Sequence, residues 1–255
     1  MKLRGWSATD VGLKRDHNED SYVCNDALGL YAVADGMGGH LGGERASRMA
    51  VEVLEKEMTE RLSAVDRVAD PAAVAAAMKE ATTQASLAIY ESAQITPELA
   101  GMGTTLTGVC FHGQGLTLCH VGDSRAYLVR DGRARQLTED HSWIQEQVRA
   151  GLLSPGDAMV SRFRNIITRS VGFEPTVSPD LLTVPVEPGD AFLLCSDGLS
   201  NYFSTEEIGR ILAGQFYGEA GRALIEIANE RGGDDNITCV IVYVGNSLEP
   251  QPKRD

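Results

Sequence analysis

Several acidic residues share one placement in this 255-residue chain. Asp35 closes the apolar run LYAVAD and is followed by Gly36. Asp123 closes LTLCHVGD, and Asp197 closes AFLLCSD with Gly198 behind it. Asp234 and Asp235 stand just before NITCVIVYV, and Glu19 and Asp20 just before or at the start of SYVCN. A single Asp-Gly is ordinarily a turn. Carboxylates at the ends of several neighbouring strands can instead converge at one sheet edge. There, mutual repulsion and lost hydration call for a countercharge. Hard divalent cations with oxygen ligands, Mg²⁺ or Mn²⁺, suit such a set, and Gly36 can lend its carbonyl. Arg15 lies shortly before Glu19-Asp20 and has the planar fork that matches two phosphate oxygens. Beside a carboxylate–metal cluster, phosphate is its expected partner.

The segment LGLYAVADGMGGHLGGERA could also be a nucleotide-binding turn, because it reads strand, glycine loop, helix. Gly36 and Gly38 fit G-x-G-x-x-G, but the third position is Leu41. The acidic residue that should end a second strand about 20 positions on would be Glu55 or Glu57, both in a helical stretch. No Gly-Lys-Ser/Thr follows, so a P-loop fails as well. Cys119 and Arg125 have C-x₅-R spacing, but Cys119 sits inside an apolar run, as a buried free thiol does. Ser124 and Ser196 lack triad spacing and are expected to make local hydrogen bonds.

These residues need elements to hold them. Strands are expected near 3–9, 21–25 and 29–34. A helix over about 43–62 follows from the recurrence of Ala46, Met49, Ala50, Val53, Leu54, Met58 and Leu62 at three and four. A second helix should open at Asp70-Pro71, a cap and first-position pair. Residues 103–137 read as an antiparallel meander, with Asp131-Gly132 as a hairpin turn. A short helix is expected over 141–150. Strands follow at 166–170, 181–186 and 191–196, then helices from Ser204, where Glu207 completes a capping box, and over 218–231. NITCVIVYV closes the fold. Strands in antiparallel runs with helices in separate blocks predict stacked sheets covered by helices.

Net charge is −13, which disfavours nonspecific binding to nucleic acid or anionic membrane. The five cysteines are scattered, odd in number and without a C-x-x-C pair, which fits a reducing compartment. No signal core is evident in MKLRGWSATD, and no apolar run approaches the roughly 20 residues of a membrane span. A soluble cytoplasmic protein is expected.

Eight segments, in order, resemble the metal-dependent protein phosphatases of type 2C in their compact bacterial form: RDHNEDSY, YAVADGMGGH, GMGTTL, HVGDSRAYL, LTEDHS, ITRSVG, LLCSDGL and GGDDNIT. The resemblance implies an α+β fold, a four-layer α-β-β-α sandwich with two mainly antiparallel central sheets. It implies one catalytic domain over 1–245 with a flap at about 152–165, and a flexible tail at 246–255. It implies hydrolysis of phosphoserine and phosphothreonine by a metal-activated water, with Mn²⁺ or Mg²⁺ as two core ions and a third. By position, Asp35 resembles the bridging carboxylate, Gly36 a carbonyl ligand, and Asp197 and Asp235 ligands of the second ion. Asp123 resembles a third-ion ligand shared with Asp197. Arg15 resembles the phosphate-binding arginine. Glu19 and Asp20 match an acidic pair that holds metal waters or the arginine, and Asn236 stands behind the ligands. Met37 occupies the slot of the eukaryotic general acid, which leaves His40 as the nearest candidate for leaving-group protonation. Expected partners are phosphorylated proteins, a serine/threonine kinase and its substrates, met by a monomer. Two other readings are a phosphatase dedicated to one regulatory phosphoprotein, such as an anti-sigma-factor antagonist, and a non-catalytic pseudophosphatase that docks a partner.

Overall fold

The computed structural model describes residues 1–63, 65–66, 70–113, 115–154, 156–157, 163 and 166–245, the His40 side chain excepted. The tail at 246–255 and most of the expected flap lie outside the described residues.

Two antiparallel sheets form the centre. One runs β1 (Lys2–Asp10), β11 (Ile237–Gly245), β10 (Ala191–Cys195), β7 (Arg125–Arg130), β8 (Arg133–Gln136). The other runs β2 (Asp20–Asn25), β3 (Leu30–Met37), β5 (Leu106–His112), β6 (Gly115–Val121), β9 (Asp180–Pro185), with β4 (Gly103–Thr104) on the end of β3. Helices α1 (His40–Leu62) and α2 (Pro71–Ile95) cover the second sheet. Helices α5 (Thr205–Gly214) and α6 (Tyr217–Glu230) cover the first. Two short helices, α3 (Trp143–Arg149) and α4 (Asp197–Ser200), lie in connections.

The period-2 alternation of strands sorts the apolar residues into three cores. In β3, Leu30, Ala32 and Ala34 face α1 and α2, while Tyr31 and Val33 face the other sheet. In β10, Leu193 and Cys195 face α5 and α6, while Phe192 and Leu194 face inward. Both faces are covered, so these strands read as continuous apolar runs. The helix signals act as expected. The Asp70 carboxylate accepts the Ala73 N–H at 2.9 Å ahead of Pro71, and Ser204 and Glu207 form the capping box. The Asp131-Gly132 turn has both residues at positive φ, 51° and 72°, as a tight hairpin between β7 and β8 requires. Among the described residues, no helix is long and apolar enough to cross a membrane.

Two expectations are corrected. Residues 103–137 are not one meander, because β6 and β7 belong to different sheets. Gly122, at φ 107°, turns the chain there, and Asp123-Ser124 carries it across. Both sheets bury both faces, so local alternation could not reveal the change of layer. Residues 166–170 form no strand. Thr168 N–H goes to the His141 carbonyl and Ile167 makes only an isolated bridge to Ser142, while Val171, just beyond, bridges Thr104.

Candidate active site

The register of β2 on β3 sets Asp20 directly opposite Asp35. Asp35 is held by its own backbone. Its N–H donates to the Thr105 hydroxyl at 2.9 Å, and its carbonyl accepts the Thr105 N–H and the Thr104 hydroxyl, each at 2.9 Å. Thr105 is braced in turn by the Ser124 hydroxyl at 2.7 Å. Gly36 N–H donates to the Glu19 carbonyl at 3.2 Å. A Cβ on Gly36 would lie 2.1 Å from the Gly43 carbonyl oxygen, so only glycine lets β3 meet the first turn of α1 this closely. The buried Glu19 carboxylate lies against Gly43, and the Ser47 hydroxyl donates to the Glu19 carbonyl.

The second sheet edge supplies the remaining acids. The Ser196 hydroxyl donates to Asp20 Oδ2 at 2.8 Å and accepts the Thr238 N–H at 3.0 Å. This corrects the expectation of a local bond, since Ser196 and Asp20 are 176 residues apart. Asp197 opens α4, where the Asn201 amide donates to it at 3.2 Å. A Cβ on Gly198 would stand 2.1 Å from the Asn236 carbonyl oxygen, so glycine again allows a close approach, here of α4 to Asp235-Asn236.

Asn236 ties the 11–19 loop to this edge. Its Oδ1 accepts the Glu19 N–H at 2.8 Å, and its Nδ2 donates to the Val11 and His17 carbonyls, both at 2.9 Å. The loop carries Arg15, whose Nη2 donates to Asp235 Oδ2 at 2.7 Å, with the guanidinium half in solvent. The arginine, expected to be held by the Glu19-Asp20 pair, engages Asp235, which was expected only as a metal ligand.

Asp123 is almost fully buried beside the layer-crossing turn. His141 brackets that turn: its N–H donates to the Gly122 carbonyl at 2.8 Å, and its Nδ1 accepts the Gly122 N–H at 3.1 Å. Nδ1 as acceptor leaves the ring proton on Nε2, which donates to Asp180 Oδ2 at 3.1 Å. Arg169 Nη1 donates to Asp180 Oδ1 at 2.8 Å. Arg125 forks onto Asp140 through Nε and Nη2, at 3.0 and 2.7 Å.

The acids strain against one another. Burial, and then Asp20, Asp197, Asp123 and Asp235, hold the Asp35 carboxyl well above its usual range. Burial pushes Asp20 up to about 7, against hydrogen bonds from Thr238 and Ser196 that pull the other way. Burial and then Asp197 push Asp123 up to about 8, and burial and then Asp235 raise Asp197. Asp20 Oδ1 is buried with no hydrogen-bond partner. An orphaned carboxylate oxygen among repelling acids, with Gly36 next to Asp35 in the chain, is a donor set for hard cations. Among the described residues, no three acidic, His or Cys groups stand at chelating distance. An ion here would take few carboxylates directly and keep waters, as Mg²⁺ and similar ions do.

Asp20, Asp35, Asp123 and Asp197 thus share one electrostatic centre, with Asp235 repelling three of them, while Glu19, Asn236 and Arg15 flank it. His40 opens α1, and its side chain lies outside the described residues. Sequence reasoning assigned no role to Thr104, Thr105 or His141. Their signal was present in GMGTTL and LTEDHS, but the partners are distant in sequence.

The family model described as Protein phosphatase 2C matches residues 11–240. The chain is 39% identical over 245 residues to the serine/threonine protein phosphatase PstP of Mycobacterium tuberculosis, covering 96% of this chain and 45% of that protein. It therefore spans about half the length of that relative. It is 38% identical over 241 residues to the serine/threonine phosphatase stp of Listeria monocytogenes, covering 92% of this chain and 93% of that one. Among solved structures, the Streptococcus agalactiae serine/threonine phosphatase superimposes with TM-score 0.87 at 36% identity, covering 95% of this chain and 99% of that one. The catalytic domain of PstP in complex with 2 manganese ions gives TM-score 0.84 at 37% identity, covering 96% and 99%.

Proposed function

The chain belongs to the protein phosphatase 2C family, and from that premise we propose that it hydrolyses phosphoserine and phosphothreonine in proteins with the help of divalent cations. The observation that carries the reading is the convergence of Asp20, Asp35, Asp123 and Asp197, each held above its ordinary carboxylate range by burial and by its neighbours. Such a centre is costly to fold unless cations occupy it.

Asp35, the Gly36 carbonyl, Asp197 and Asp235 would hold the two core ions, Mn²⁺ or Mg²⁺. Asp123, with Asp197, would hold a third. When bound, such ions supply positive charge for the phosphoryl oxygens and an acidified water as nucleophile. The protein's own residues supply the positioning. Thr104 and Thr105 fix the Asp35 backbone. Ser196 orients Asp20 and leaves its second oxygen available. Asn236 fixes the loop that presents Arg15, whose half-exposed guanidinium can turn a free N–H edge to substrate while Nη2 stays on Asp235. His40, at the start of α1, would protonate the departing seryl or threonyl oxygen.

The reading extends to residues 1–245 as one catalytic domain with a flap at 152–165, a monomer acting in the cytoplasm on the substrates of a serine/threonine kinase. Its test is hydrolysis of a phosphothreonine peptide with added Mn²⁺, lost on chelation. No hydrolysis under any divalent cation would leave a docking protein of the same fold.

A further inference from the structure

A cleft of about 770 Å³ opens beside Met37. Met37 is the last residue of β3, two residues after Asp35, so the cleft borders the strand end that carries the carboxylate centre. Its far wall is drawn from residues 167–180. That wall is registered to the catalytic strand. Val171 and Thr104 exchange backbone hydrogen bonds at 3.0 and 2.8 Å, and Thr104 pairs with Gly36. The wall is also pinned to α2, because the Ser86 hydroxyl accepts the Gly172 N–H at 3.0 Å and donates to the Glu174 carbonyl at 2.9 Å. At Gly172, φ is 94°, and a Cβ would stand 2.1 Å from Ile89 Cγ2.

Among the described residues, three charged side chains line the cleft: Arg169, Glu174 and Asp180. Arg169 and Asp180 neutralise each other at 2.8 Å. Glu174 is exposed and makes no ion pair with any described residue. Among the described lining residues one net negative charge is therefore left, beside the exposed ring of Phe173 and the half-buried Val177. A negative end with an apolar flank matches a long cationic side chain, whose aliphatic stem lies on apolar surface while its head meets a carboxylate or an aromatic face. The net charge of −13 draws the same kind of peptide inward.

We propose that this cleft seats a Lys or Arg residue flanking the phosphorylated residue of the substrate, with Glu174 as its counter-charge. The proposal rests on the phosphatase reading and names a substrate preference for it. The test compares phosphothreonine peptides that differ only in Arg or Glu at each flanking position, on the parent protein, Glu174→Gln and Glu174→Lys, with p-nitrophenyl phosphate as the control substrate. Exposed ion pairs are modest, so the parent should favour Arg over Glu about three-fold in kcat/KM at one or two positions. Glu174→Gln should flatten that ratio and Glu174→Lys invert it, with nitrophenyl phosphate turnover equal in all three. A ratio unmoved by Glu174→Lys, or no Arg preference in a parent that hydrolyses nitrophenyl phosphate, overturns the pocket and leaves the phosphatase reading intact. A parent inert on every substrate with Mn²⁺ overturns both.

Discussion

Asp20 and Asp35 stand directly opposite one another on neighbouring antiparallel strands. Like charges so placed repel and destabilise a sheet. Here two further acids, Asp197 and Asp235, add to the repulsion on both. The pair is a defect in a metal-free protein and an asset once a cation is present.

Asp20→Asn should therefore stabilise the metal-free protein while weakening its response to metal. Asparagine keeps an oxygen for the Ser196 hydroxyl and removes the charge. A gain of roughly 1 kcal/mol would raise Tm by about 2–4 °C in chelator. Thermal unfolding with and without Mn²⁺ measures it. A lower Tm in chelator would show that the opposed charges are not the source of strain.

The pH dependence has a definite sign. Asp20 and Asp123 have folded values of about 7 and 8, against 3.8 for the ordinary group. Between those limits the folded chain binds more protons than the unfolded chain, so metal-free stability falls as pH rises from about 4 to about 8. Cations displace those protons, so metal affinity rises over the same interval. Denaturant unfolding in chelator at pH 5 and pH 8 should show the protein more stable at pH 5 over this contribution. A curve rising toward pH 8 would contradict it.

The acids themselves were legible in the sequence because each sits just before or just after an apolar run, a local signal. The helix boundaries at Asp70-Pro71 and Ser204 were legible for the same reason. The layer change at Gly122 was not, since β6 and β7 are both buried on both faces and read as the same kind of continuous apolar run. The bond from Ser196 to Asp20 and the clamp of His141 on Gly122 were also beyond reach, because they join residues that only the tertiary fold brings together. Arg15 was singled out by type and spacing, but its contact with Asp235 depends on Asn236 tethering the intervening loop.

Arg15→Ala should lower kcat/KM on a phosphopeptide about tenfold, equal to about 1.4 kcal/mol, mostly through KM, with Mn²⁺ affinity nearly unchanged. Lys should rescue poorly for want of the planar fork. Steady-state kinetics beside calorimetric Mn²⁺ titration separate the two effects. An unaltered KM would make Arg15 a surface partner of Asp235 only.

Asp123→Ala and His141→Ala should resemble each other. The first removes an acid of the proposed third-ion site, and the second releases the Gly122 turn that places it. Both should retain two tight Mn²⁺ sites, lose the weaker one and lose much of their turnover. His141→Asn, which keeps an acceptor near the Gly122 N–H, should recover part of it. If Asp123→Ala loses a tight site, Asp123 belongs to the core pair instead.

His40→Ala should slow phosphopeptide hydrolysis more than nitrophenyl phosphate hydrolysis, because an alkoxide needs protonation to leave and nitrophenolate does not. Equal effects on both substrates would remove His40 from the chemistry.

The most direct test follows phosphothreonine-peptide turnover in one sample through a calorimetric Mn²⁺ titration, for the parent protein and for Asp35→Asn. The parent should be inactive in chelator and gain activity in step with filling of its tight sites. Asp35→Asn should stay folded, lose that tight binding and remain inactive throughout. Full turnover of the parent in chelator, or tight binding and activity preserved in Asp35→Asn, would contradict a catalytic centre built on these carboxylates.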